Sequence, residues 1–115
     1  MISDLVAAVQ EEEKALSAIR EPLAEALDNG KRVFDETGKF RGRALNYQFV
    51  GTGAGHGPYV EVEDGSVKMD LINGIGVHIF GHGNTRIREA AVRGALSDVV
   101  MQGNLEPNHE YAKVT

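Results

Sequence analysis

His78 and His82 stand four residues apart in GIGVHIFGHGN, residues 74–84, a stretch that also carries four glycines. Two chemistries use such residues. Histidines at i and i+4 on a helix share a face and can hold zinc, and glycine-rich turns expose backbone N–H groups that cradle phosphate. A second stretch, GTGAGHG at 51–57, adds His56. A dinucleotide fingerprint needs glycines at i, i+2 and i+5 between a strand and a helix, and a P-loop ends in Gly-Lys-Ser/Thr. Neither stretch has either pattern, so spacing argues against a phosphate cradle. The glycines at 74, 76, 81 and 83 also oppose a regular helix, and the histidine spacing then loses its metal meaning. The histidines read as packing or hydrogen-bonding residues, and the glycines as sites of positive φ or close backbone approach.

Nucleophilic chemistry has little to draw on. The chain has no cysteine, and Ser3, Ser17, Ser66 and Ser97 lack the setting of a nucleophile elbow. Glu11, Glu12 and Glu13 read as a solvated helix face. The five lysines, Lys14, Lys31, Lys39, Lys68 and Lys113, lie in exposed-looking patterns. No self-sufficient catalytic constellation is visible, and neither catalytic nor metal-ligating residues are expected in this chain.

The elements that would carry these residues are an α+β set. Apolar residues from Ser3 to Asn29 recur at three- and four-residue steps, which predicts an N-terminal helical span stopped by Asn29-Gly30, with Pro22 imposing either a kink or two helices that meet near Arg20-Glu21. Residues 30–46 show no sustained period and read as a surface connection. The basic run from Lys31 to Arg43 reads as solvated linker rather than as an anion site. YVEVE-DG-SVKMD predicts a hairpin over 59–71 with a two-residue turn at Asp64-Gly65. That register pairs Val62 with Val67, Val60 with Met69 and Glu61 with Lys68. Tyr47 to Val50 is a candidate third strand of a small antiparallel sheet. Asn84 or Thr85 caps a helix over 85–101, and another helix opens at Asn108.

The 115 residues bound the chain at one domain, and the formal charge of −5 argues against nucleic acid as a general partner. The first residues, MISDLVAAVQEEEK, have neither the basic start of a signal peptide nor the length of a membrane span. No membrane partner is expected. The lack of cysteine fits a cytoplasmic setting.

Residues 55–96 carry an ordered series: Gly55 and Gly57, Tyr59, Asp64-Gly65, Asp70, Gly74-Ile75-Gly76-Val77 and Gly81-His82 before a helix. The series resembles the N-terminal portion of class III aminotransferases, the pyridoxal-phosphate enzymes that include ornithine, acetylornithine and 4-aminobutyrate transaminases. Those begin with a Gly-x-Gly-x-aromatic, a strand, an Asp-Gly hairpin, a strand ending in Asp, a Gly-Ile-(Gly/Ala)-Val segment and a Gly-His-x-His-Pro. This chain departs from the pattern at Asn84-Thr85, where the family has His-Pro, and residues before 45 carry no family motif.

The resemblance implies that residues 1–45 are an N-terminal helical extension and linker, and that 46–115 belong to the small domain of a PLP-transferase fold type I enzyme. It implies a fragment, with a large domain absent: the phosphate-binding segment, the Asp for the pyridine nitrogen and the Schiff-base lysine would all lie beyond Thr115. The parent would transfer an amino group from an amine or amino acid to a 2-oxo acid as a homodimer, using pyridoxal 5'-phosphate held by residues outside this chain. Ile75, Gly74 and Tyr47 would line the substrate wall, and the Gly81-His82-Gly83 turn would face the second subunit. The 115 residues alone would be inactive. The alternative is a free-standing small α+β binding or interaction module without enzymatic activity.

Overall fold

The computed structural model describes residues 1–47 and 49–96. It is an α+β arrangement around a three-stranded antiparallel sheet in the order β1-β2-β3, with β1 Gly51–His56, β2 Tyr59–Val62 and β3 Val67–Met69. Helices α1, Ile2–Glu13, and α2, Leu27–Phe40, precede the sheet. A single turn, α3, Asn73–Gly76, and helix α4, Thr85–Ala95, follow it. The buried apolar residues are Val6 of α1, Leu16 of the segment after it, Val62 of β2 and Val67 of β3, and α1 packs on α4 and β1.

The span from Ser3 to Asn29 does divide into two helices, but they do not meet near Arg20-Glu21: α1 ends at Glu13 and α2 begins at Leu27. Between them the chain after Leu16 runs to the outer edge of β3, where Arg20 and Val67 exchange N–H···O bonds of 3.1 and 3.0 Å. The proline does more than kink. Pro22 has no N–H to give a helix and disfavours helical geometry at Glu21, and the sheet edge offers this segment the backbone partners that a helix would have supplied. The Leu23 N–H adds a third bond, to the Asp64 carbonyl at 3.0 Å. Leu16 is buried while Ile19 is largely exposed, so their three-residue step is not a helix face.

Asn29-Gly30 is correspondingly not a stop but lies in the first turn of α2. Gly30 is there because α2 presses on the β2–β3 turn: a Cβ would sit 2.8 Å from the Asp64 Cβ. The helix is closed instead by Gly42, just past its C-cap Arg41, with φ +69. The Gly42 N–H bonds to the Lys39 carbonyl at 3.0 Å and the Arg43 N–H to the Gly38 carbonyl at 3.2 Å, the paired closure of a Schellman motif. Most of the expected 30–46 connection is therefore helical. Part of its basic run is neutralised along the helix, Lys31 by Asp35 and Arg32 by Glu36, each at 2.9 Å.

The hairpin forms with its register moved by one residue. Tyr59 pairs with Met69, Val60 with Lys68 and Glu61 with Val67. The turn holds three residues rather than two. The Gly65 N–H bonds to the Val62 carbonyl at 2.8 Å, the Val62 N–H to the Ser66 carbonyl at 2.9 Å, and Gly65 takes φ +77. That is a type I turn closed by a glycine bulge, the other use of Asp-Gly in hairpins. The ladder places Glu61 beside Arg20, whose guanidinium reaches the Glu61 carboxylate at 2.8 Å and the Gly65 carbonyl at 2.9 Å.

The third strand is the glycine-rich stretch itself, and of the expected 47–50 strand the described residues Tyr47, Phe49 and Val50 lie outside it. Gly55 pairs with Val60 and His56 with Tyr59, and the register shifts between Gly51 and Gly55, where Gly53 has φ +93. Helix α4 starts as expected, with Asn84 Oδ1 accepting from the Ile87 N–H at 3.2 Å. The expected continuation to residue 101, and the helix opening at Asn108, lie outside the described residues. Among those residues, no helix is long and apolar enough to cross a membrane.

Candidate functional site

The segment from Asp70 to Asn84 is organised by one carboxylate. Asp70 closes β3, and its Oδ1 accepts from the N–H groups of Ile72 and Asn73 at 2.9 and 2.8 Å. Its Oδ2 lies 2.8 Å from His82 Nε2, so the imidazole N–H donates back across the loop. These bonds, led by the one from His82 and then the Asn73 N–H, hold the Asp70 carboxyl below its ordinary pKa.

Between these anchors the backbone turns left-handed. Asn73, Gly74, Ile75 and Gly76 have φ of 57, 55, 58 and 91°. The turn is tied by Ile75 N–H to Ile72 carbonyl and His78 N–H to Asn73 carbonyl, both 3.0 Å. Ile75 is the residue least suited to it, since a β-branched side chain at positive φ is strained. The turn holds that side chain 92% exposed. Gly74 is beside it, and a Cβ there would meet His78 Cδ2 at 2.9 Å. Tyr47 stacks on Phe49, with ring centroids 6.1 Å apart. The structure thus places Ile75 and Gly74 on one turn and puts Tyr47 in an aromatic pair with Phe49.

The two glycine-rich stretches meet edge to edge. The Gly57 N–H bonds to the His82 carbonyl at 3.0 Å and the His82 N–H to the Gly57 carbonyl at 2.8 Å. A Cβ on Gly55 would fall 2.8 Å from that of His82, and one on Gly83, at φ +72, 2.6 Å from the Gly55 carbonyl oxygen. Close backbone approach, as read from the sequence, is what these glycines provide. The His78 ring stacks on His82 at 4.2 Å between centroids. His78 lies in a turn and His82 in the bridge to Gly57, so their spacing is not helical. Among the described residues, no group of three or more His, Asp or Glu is placed to hold a metal ion.

Beneath this edge lies a pair of residues that sequence reasoning missed. Glu13, read as a solvated face, is only 8% exposed. Arg88 from α4 grips it with both guanidinium nitrogens, Nη2 reaching Oε1 at 2.8 Å and Nη1 reaching Oε2, and the Gly55 N–H adds a bond at 3.3 Å. Burial pushes the Glu13 carboxyl up, but Arg88 and the Gly55 N–H outweigh it, so its pKa is lowered. The same bond raises the pKa of Arg88. Partners 75 positions apart leave no local signal.

A cavity of about 250 Å³ opens on this frame, lined among others by Gly53, Gly55, His78, His82, Asn84 and Arg88. Its one lining guanidinium is already neutralised by Glu13. What the site presents is an imidazole pair fixed by Asp70 and, on the outer side, the apolar run through Leu71, Ile72, Ile75, Val77, Ile79 and Phe80, all exposed. That arrangement suits the recognition of an apolar group. The described serines do not supply a nucleophile to it: Ser66 lies in the hairpin turn, and Ser3 and Ser17 lie in and just after α1. Compared with family models, curated proteins and solved structures, this chain matches none.

Proposed function

We propose that the chain is the N-terminal part of a pyridoxal-phosphate-dependent class III aminotransferase, where it supplies a wall of the substrate pocket and contacts to a second subunit. The observation that carries this reading is the presentation of Ile75. It stands almost fully exposed on a strained turn that Asp70 pins to the sheet, and an apolar side chain held rigidly outward is suited to meeting a substrate or a partner surface. Gly74 lets the turn form, and Tyr47 belongs to the same wall in this proposal.

The cofactor would supply the electron sink for amino-group transfer when bound. Lys14, Lys31 and Arg88 of this chain do not fit it. A Schiff-base lysine must lose its proton, whereas the Lys31 ammonium is 77% exposed and bonded to Asp35, which raises its pKa. Lys14 is paired with Glu11 on the surface, and Arg88 is committed to Glu13. The proposal places the cofactor-holding residues elsewhere in a longer homodimeric parent, acting on an amine or amino acid and a 2-oxo acid in the cytoplasm.

The test is the complete reading frame of the gene, expressed and purified. Visible absorbance of bound pyridoxal phosphate, together with a fall in amino-donor turnover in an Ile75→Ala variant, is the expected result. A product with no such absorbance, folding as a monomer of this length, overturns the proposal in favour of a free-standing interaction module.

A further inference from the structure

Helix α2, the β2–β3 turn and residues 49–50 line a second, half-open cavity of about 340 Å³ on the described surface, none of whose lining residues belongs to the 70–84 segment. Its size falls in the range of small-molecule sites, about 300–1,000 Å³. Leu27, Phe34, Phe49 and Val50 form apolar walls over Val62, which is itself buried. We propose that this cavity binds a small organic cation, an ammonium carried on an aromatic or aliphatic body.

The charge at the rim selects that class. Asp35, Glu63 and Asp64 line the cavity against one cation, Lys31. Lys31 and Asp35 neutralise each other at 2.9 Å. Glu63 receives a bond from the neutral Asn29 amide at 3.2 Å, and the Arg32 guanidinium that Asn29 accepts from is itself paired with Glu36, so Glu63 has no direct ion pair among the bonds described. Asp64 accepts the Ser66 N–H at 2.9 Å. Hydrogen bonding from Ser66, ahead of the charge of Lys68, keeps its pKa low, so it is ionised at neutral pH. An anion entering here meets two carboxylates, while an ammonium gains them. Phe34 and Phe49 add aromatic surface, which favours cations and aromatic bodies alike.

The walls are fixed before any ligand arrives. Gly30 lets α2 lie against Asp64, the Glu63 N–H bonds to the Val50 carbonyl at 2.9 Å, and the Leu23 N–H bonds to the Asp64 carbonyl. Little ordering cost then falls on the ligand. This site is independent of the aminotransferase reading, because it rests on other residues and holds whether or not that reading does.

The experiment is an amide NMR titration of the full chain with phenethylamine, and in parallel with phenylacetate, which has a similar body and the opposite charge. Saturable shifts with the amine at Leu27, Phe34, Val50 and Glu63, and binding of phenylacetate weaker by about tenfold or more, are expected, tenfold corresponding to about 1.4 kcal/mol. Glu63→Gln should weaken the amine several-fold without changing the thermal midpoint. Leu27→Lys, which places a cation at the half-exposed mouth, should abolish binding. Absence of saturable binding at millimolar amine, equal binding of the two probes, or affinity unchanged in either variant would overturn the proposal.

Discussion

Ile75 and Gly83 are both held at positive φ, and their substitutions should move stability in opposite directions. An L-residue in the left-handed region costs roughly 1–2 kcal/mol, while glycine adds about 0.5–1 kcal/mol of unfolded-chain entropy. Ile75→Gly is therefore expected to stabilise the chain by about 0.5–1 kcal/mol, read as a higher urea midpoint with unchanged slope. Gly83→Ala adds backbone strain and drives a Cβ to 2.6 Å from the Gly55 carbonyl oxygen, a backbone atom that cannot rotate away. It should cost roughly 2–3 kcal/mol or more on the same assay. The sequence made the glycines at 81 and 83 legible as close-approach sites, because only packing explains so many small residues without a phosphate-binding spacing. Ile75 was not legible as strained, since nothing in its type points to positive φ.

At the scale of elements, Gly42 closes α2, and Gly42→Ala should cost about 1 kcal/mol by putting a side chain at the left-handed closing position. Circular dichroism during thermal unfolding would show it as a lowered midpoint. The hairpin, its approximate limits and the Asn84 cap could all be read from the sequence, because each is specified by contiguous residues. Its register could not, because Asp64-Gly65 suits a two-residue turn and a three-residue turn with a glycine bulge equally well. The break in the N-terminal span was legible in Pro22, but its width was not. Leu16, Ile19 and Leu23 keep a helical step, but Pro22 removes a donor and the free edge of β3 competes for the backbone. Asn29-Gly30 had the composition of a stop, yet Gly30 serves the approach to Asp64.

Over the whole molecule, the Glu13–Arg88 pair joins the first helix to the last described one, with Gly55 of the sheet between them. Removing one partner of a buried pair strands the other charge, so Arg88→Ala should cost about 2–4 kcal/mol, somewhat below the fully buried case because Arg88 retains some exposure. The same pair gives stability a pH dependence. Glu13 and Asp70 have folded pKa values below their ordinary ones. Their contribution is fully present above the ordinary carboxylate range, about 4, and is lost as pH falls through the lowered folded values. Urea midpoints measured from pH 7 to pH 2 should fall below about pH 4, and the fall should be shallower in Glu13→Gln. The exposed apolar run from Leu71 to Phe80 also predicts concentration-dependent self-association, measurable by sedimentation. A species monomeric at all concentrations, with cooperative unfolding, would contradict it.

The span of that ion pair has a consequence during synthesis. Glu13 is added to the chain 75 residues before Arg88. At 5–20 residues per second the interval is roughly 4–15 s. Through that time the first helix has its acid but not its guanidinium, and Gly55, once added, has no Gly83 to close against until later in the same interval. The contacts that tie α1 to α4 and close the Gly55 edge therefore form only after residues 83–88 have been added.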